Sequence, residues 1–170
     1  MQQKKMPIIS LLLLLLFLQS VISFFSDDSI SPAFSQDFSL KATYGTVSLS
    51  SGFTPDPYTL SLQSGGSINA SSLSSGCGGF IANAPDFELS YTAGSLDLYI
   101  SVISSTDTTL VINTPSGKWI CDDDSGGNLD PSIKLENPGS GVYDIWVGTY
   151  ASSSINDATL YISELGQYGN

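Results

Sequence analysis

Residues 95–104 read Ser95-Leu96-Asp97-Leu98-Tyr99-Ile100-Ser101-Val102-Ile103-Ser104. In an extended chain successive side chains point to opposite faces. Leu96, Leu98, Ile100 and Val102 therefore share one face, and Asp97, Tyr99 and Ser101 share the other. The same period of two recurs downstream, where Tyr143, Ile145 and Val147 alternate with Asp144 and Trp146, and again at Leu160 and Ile162. No segment carries a helical stripe of period 3.6.

Working outward, short runs rich in Thr, Val, Ile, Leu and Tyr are separated by Gly, Pro, Asn and Ser, the pattern of strands and turns. Strands are expected at 43–50, 57–63, 86–92, 95–104, 107–113, 117–122, 131–136, 141–149 and 157–164. Pro115-Ser116-Gly117 reads as a tight turn, Pro presetting φ and Gly tolerating a positive value. Asn137-Pro138-Gly139-Ser140-Gly141 is a second strong break. Residues 64–84 are Gly/Ser-rich with little pattern and read as a long loop or edge segment. Many short strands at near-regular spacing predict an all-β, two-sheet antiparallel β-sandwich of jelly-roll or immunoglobulin-like type.

The chain has 170 residues, 16 acids, 5 Lys, no His and no Arg, and a net charge of −11. That charge excludes a nucleic-acid surface, which needs clustered cations to displace counterions. The missing His removes imidazole acid–base chemistry, Ser/His triads and imidazole metal sites. Residues 1–35 read as a signal peptide: Lys4 and Lys5 precede the almost uncharged run Ile8–Phe25, and Ala33-Phe34-Ser35 fits cleavage before Gln36. Val21-Ile22-Ser23 offers an earlier cleavage site, and an uncleaved membrane anchor is the rival reading. Residues 36–170 then form a single domain of 135 residues holding Lys41, Lys118, Lys134 and 14 acids. Such a surface repels anionic membranes and nucleic acid and offers carboxylates to cations.

Cys77 and Cys121, the only cysteines, are expected to form one disulfide in an exported protein and to pin the 64–84 region to the sheet. The distinctive chemical feature is Cys121-Asp122-Asp123-Asp124-Ser125-Gly126-Gly127-Asn128-Leu129-Asp130. Its oxygen-bearing side chains Asp122, Asp123, Asp124, Asn128 and Asp130, around a Gly-Gly bend, suit a Ca²⁺ site. The spacing is not that of an EF-hand. The other reading is a turn whose Asp side chains cap backbone N–H groups. Lys118 and Lys134 are the nearby cations in sequence. Asp97 and Asp144 sit on strands, where a carboxylate ordinarily faces solvent, and nothing in the spacing points to catalysis. Tyr99, Trp119, Trp146, Tyr150 and Tyr161 either fill the core or form an outward platform for sugar rings. Asn69-Ala70-Ser71 is a glycosylation sequon, meaningful only in a eukaryotic secretory pathway.

Three blocks also carry a family resemblance: Asp107-Thr108-Thr109-Leu110-Val111-Ile112-Asn113 followed by Pro115-Ser116-Gly117-Lys118-Trp119; Asp122 to Gly127; and Pro138-Gly139-Ser140-Gly141-Val142-Tyr143-Asp144-Ile145-Trp146-Val147-Gly148. Over 107–150 this resembles the bacterial pre-peptidase C-terminal domain. The resemblance implies a jelly-roll β-sandwich of the kind appended to secreted proteases, some relatives of which bind Ca²⁺ and a polymeric substrate. No protease domain is expected within these 170 residues, and the Cys77/Cys121 pair lies outside the family pattern. The expected function is that of a secreted or periplasmic, non-catalytic accessory module, stabilised by Ca²⁺, that binds an extracellular polymer or a secreted protein. The alternative is a structural subunit of an extracellular layer or filament, self-associating through strand edges.

Overall fold

Two neighbouring strands are buried on both faces, and the others are arranged about them. The structure, a computed structural model, describes residues 35–169, so the predicted signal peptide lies, apart from Ser35, outside the described residues. The elements are β1 (Thr46–Ser50), β2 (Tyr58–Ser64), β3 (Ile68–Asn69), a 3-10 turn (Ala70–Ser72), β4 (Phe80–Ile81), β5 (Phe87–Thr92) and β6 (Leu98–Ser104). They continue with β7 (Thr108–Asn113), β8 (Trp119–Asp122), β9 (Ser132–Leu135), β10 (Gly141–Thr149) and β11 (Asn156–Ser163). Sheet A centres on β10, which pairs with β7 and through it β8 on one edge, and with β5 and then β4 on the other. Sheet B runs β2-β11-β6-β9.

The expected β-sandwich is present, and each of the nine expected strands has its counterpart. Leu98, Ile100 and Val102 from sheet B meet Leu110, Ile112, Tyr143, Ile145 and Val147 from sheet A in one core, with Leu160 and Ile162 beside them. Leu96 departs from its predicted face and is 43% exposed, because β6 begins only at Leu98. The ladders are antiparallel except one: β1 pairs β5 in parallel, Thr46 opposite Glu88 through Ser50 opposite Thr92. Parallel neighbours need a long crossover, and residues 51–86, which pass through sheet B and return, supply it.

The segment expected as a long loop or edge segment, 64–84, does form an edge of sheet A, through β4 and then β3, and it also acts as a cover. It contributes β3, the 3-10 turn and β4, and it lies on the outer face of sheet A. There Ile68, Ala70, Cys77 and Ile81 pack with Val111 and Trp146 in a second apolar cluster. Trp146, a candidate for an outward sugar platform, is therefore fully buried, its ring 5.3 Å from that of Trp119. Cover and sheet approach closely at Gly148, where a Cβ would come within 2.5 Å of the Phe80 carbonyl. The Cys77–Cys121 disulfide joins cover to sheet, as expected.

The cover leaves one gap in the ladder. β5 pairs β10 only as far as Ile145, and β4 reaches it only at Thr149. Between them the N–H of Val147 donates to Oδ2 of Asp86 at 2.7 Å, and its carbonyl accepts from Gly65 N–H at 2.9 Å. Asp86 is 3% exposed, and burial pushes its carboxyl up to about 7, only partly opposed by the Val147 N–H.

Two outcomes are expected from this arrangement. Between about pH 4 and pH 7 the folded protein retains a proton on Asp86 that the unfolded chain has released, so stability falls as pH rises through that window. The effect is a few kcal/mol at about 1.4 kcal/mol per pH unit. Denaturant melts should show higher stability at pH 5 than at pH 8, and Asp86→Asn should flatten the profile; an unchanged slope in the variant would remove Asp86 as its source. Replacing both cysteines by Ser should cost roughly 3–4 kcal/mol on the chain-entropy model. The loosened cover should wet Trp146, red-shifting tryptophan emission while far-ultraviolet circular dichroism is retained.

Candidate functional site

β8 runs out into the acidic turn at Asp122, whose carboxylate is turned back toward the backbone. It accepts from the Ser125 N–H at 3.0 Å, the Ser125 hydroxyl at 2.6 Å and the Ser132 N–H at 2.8 Å. One side chain thus ties the turn to the first residue of β9. Within the turn Gly127 and Asp130 form a bridge around Asn128 (φ 53°) and Leu129 (φ 65°), the two-residue pattern of a type I′ turn. Asn tolerates that conformation through its short polar side chain, whereas Leu does so at a cost. Asp130 is 3% exposed and accepts from the Ser104 N–H at 2.9 Å, anchoring the turn to the end of β6. Burial raises its carboxyl, and the Ser104 bond opposes the rise.

Of the five side chains considered as calcium ligands, Asp122 and Asp130 are thus engaged by backbone donors. Among the described residues no group of three or more His, Cys, Asp or Glu side chains is gathered to hold one ion. The turn instead meets Asp107, which the sequence placed on a strand without a role. Burial first, then Asp124 and Asp123, raise the Asp107 carboxyl. Asp123 is likewise raised by burial, then by Asp124 and Asp122. Asp107, Asp123 and Asp124 together make this end of the sandwich electronegative.

Neither lysine expected beside the turn lies there. β8 and β9 carry Lys118 and Lys134 to the opposite end, where both line a groove of about 610 Å³ between the 114–118 and 136–140 turns. Lys134 is paired with Asp97 and Glu136, each at 3.0 Å, and sits 5.9 Å from the centroid of Tyr99. Tyr161 stacks on Tyr168 of the C-terminal segment with centroids 5.0 Å apart. Of the five aromatics, Tyr150 alone is strongly exposed (45%), so no aromatic row forms.

The outer face of sheet A holds a second arrangement that no local motif announces. Registers place Glu88 of β5, Asp144 of β10, Asn113 of β7 and Trp119 of β8 in one transverse row. Neighbours in such a row stand about 4.5–5.5 Å apart at Cβ. Asp144, expected to face solvent, is 7% exposed, and burial first, then the neighbouring Glu88, push its carboxyl up to about 6. It lines a pocket of about 470 Å³ bordered by Phe38, Asn113, Gly117 and Val142. Phe38 meets Trp119 edge to face at 6.5 Å. Among the described residues no donor is bonded to the Asp144 carboxylate.

The chain has no His, and the most strongly raised carboxyl, Asp86, is committed to a ladder position. No helix among the described residues is long and apolar enough to cross a membrane.

Because Asp122 braces the turn through three hydrogen bonds, Asp122→Ala is expected to destabilise by about 2–3 kcal/mol, the size of charge-assisted bonds lost at a half-buried site. The loss should be equal in EDTA and in Ca²⁺. A loss seen only with Ca²⁺ would instead make Asp122 a metal ligand.

No protein family matches the sequence, and no curated protein matches it. Among solved structures the chain is similar to PliG of Aeromonas hydrophila, a periplasmic lysozyme inhibitor of g-type lysozyme, at 14% identity and a TM-score of 0.36, over 69% of this chain and 96% of that one.

Proposed function

We propose that this chain is an exported, non-catalytic binding module that recognises a secreted or periplasmic protein through a basic surface on that partner. The observation that carries the reading is the balance of charge. Residues 36–170 hold 14 acids against Lys41, Lys118 and Lys134, and among the described residues Lys134 alone is ion-paired. A few acids, such as Asp86, Asp122 and Asp130, are used to hold the backbone. The others leave a large uncompensated negative field on a rigid sandwich. Such a field speeds encounter with cationic surfaces and disfavours anionic ones. The apolar, lysine-led leader and the disulfide suit an exporting compartment. The resemblance of 107–150 to pre-peptidase C-terminal domains, themselves accessory modules, points the same way.

The test is to pass the extracellular and periplasmic fractions of the source organism over the immobilised, oxidised protein, then purify what is retained and reconstitute the complex. The expected result is a single basic protein bound in fixed stoichiometry, with affinity that falls steeply as salt is raised. Saturable retention on insoluble glycan or collagen in place of a protein partner would overturn the reading in favour of polymer adhesion. Concentration-dependent growth of the protein alone in light scattering would overturn it in favour of a self-assembling subunit.

A further inference from the structure

Negative charge alone does not say where a cationic partner is gripped, and most of the acids are isolated on the surface or tied to backbone donors. Asp144 is neither. Its alternation with Tyr143 and Ile145, which face the main core, directs it to the outer face of sheet A. Trp146 and Val111 on the same face are sealed by the cover. The cover stops short of Asp144, leaving a pocket walled by Phe38, Asn113 and Val142. The result is a carboxylate largely withdrawn from water with no donor supplied by the described residues, next to the like charge of Glu88. A nearly buried acceptor without a donor is costly, and the like charge of the partly exposed Glu88 beside it adds to the cost. No lysine shares the row.

We propose that this pocket receives a cationic side chain of the partner protein, an arginine guanidinium or lysine ammonium, held by Asp144 and Glu88 with the Phe38–Trp119 pair alongside. A guanidinium supplies several donors in one plane, matching the carboxylates and the Asn113 amide oxygen together. Phe38, which lines the pocket and is backed by Trp119, suits its weakly hydrated faces. A neutral sugar would find the same Asn113 and Trp119 but would leave both negative charges uncompensated, so a cation is the better match. The proposal rests on the reading of a basic protein partner and assigns that reading one site.

The experiment uses the oxidised exported protein and N-acetyl-arginine methylamide as probe, followed by NMR. The Trp119 indole and the Asn113 side-chain amide report on the pocket, and the sealed Trp146 indole serves as internal reference. A saturable, salt-sensitive shift at the first two is expected. The uncharged citrulline analogue should bind about tenfold more weakly, and Asp144→Asn should weaken arginine binding by a similar factor. Phe38 is 56% exposed, so Phe38→Ala should weaken binding without lowering the melting temperature. Equal binding of arginine and citrulline, no loss in Asp144→Asn, or a larger response to an oligosaccharide would each overturn the proposal. Should the reconstituted basic partner bind Asp144→Asn as well as it binds the native protein, the pocket assignment fails while the partner reading stands. Should arginine bind at the pocket but no basic partner form a complex, the partner reading fails by itself.

Discussion

β10 carries large apolar side chains on both faces, and the architecture follows from that constraint. Tyr143, Ile145 and Val147 need a second sheet, which sheet B supplies. Trp146 points the other way and needs a cover of its own. Fully burying a tryptophan is worth several kcal/mol, too much to leave on a wet sheet face. The cover that satisfies it has little regular structure, two residues each in β3 and β4 and a single 3-10 turn. So few ladder bonds hold a segment poorly, and the Cys77–Cys121 link compensates by limiting how far the cover strays in the unfolded chain. The bridge attaches to β8, the strand beyond β7, so it also holds that edge of sheet A.

A second theme is the use of carboxylates where strands run out. Asp86 takes a donor of β10 that neither β5 nor β4 reaches. Asp122 closes the turn between β8 and β9, and Asp130 fixes that turn to the end of β6. Glu164, just past β11, accepts from the Gly52 N–H and from the Tyr91 hydroxyl, joining the two sheets at the other end. In a fold of short strands the orphaned N–H groups are numerous, and a carboxylate satisfies them with two strong acceptor atoms. Part of the acidity of this chain is therefore scaffolding, which limits how much of it is available to cations.

The inward faces of β6, β10 and β11 were legible because each alternates with period two against a single core. Leu96 misled because alternation continues past the point where the chain joins the sheet. Trp146, which the sequence left between core and outward platform, proves to fill a core, and the ambiguity has a deeper reason. A strand buried on both sides and a strand with an exposed aromatic both read as alternating, and the difference lies in whether something distant covers the outer face. Here the cover packs through Ile68, Ala70, Cys77 and Ile81, whose spacing has no period. The acidic turn was visible as a cluster, yet capping and coordination draw on the same residues. Only the positions of Ser125, Ser132 and Ser104 show where Asp122 and Asp130 are spent. The row from Glu88 to Trp119 is assembled from four strands and has no local signature.

Why the cover stops where it does bears on what the uncovered part is for. Residues 64–84 run from the end of β2 to the entry of β5, and the disulfide draws their middle toward Cys121. Phe38 reaches Trp119 from the N-terminal segment, which is tied to Asn83 through the Asp37 N–H. Apolar material is thus brought to the pocket from two directions and still leaves Asp144 without a donor. Packing alone would favour a neutral side chain at that position, since burial resists the charged form of a carboxyl. A charged residue placed beside an open pocket where the scaffold offers it no partner is better suited to a donor arriving from another molecule than to holding this one together.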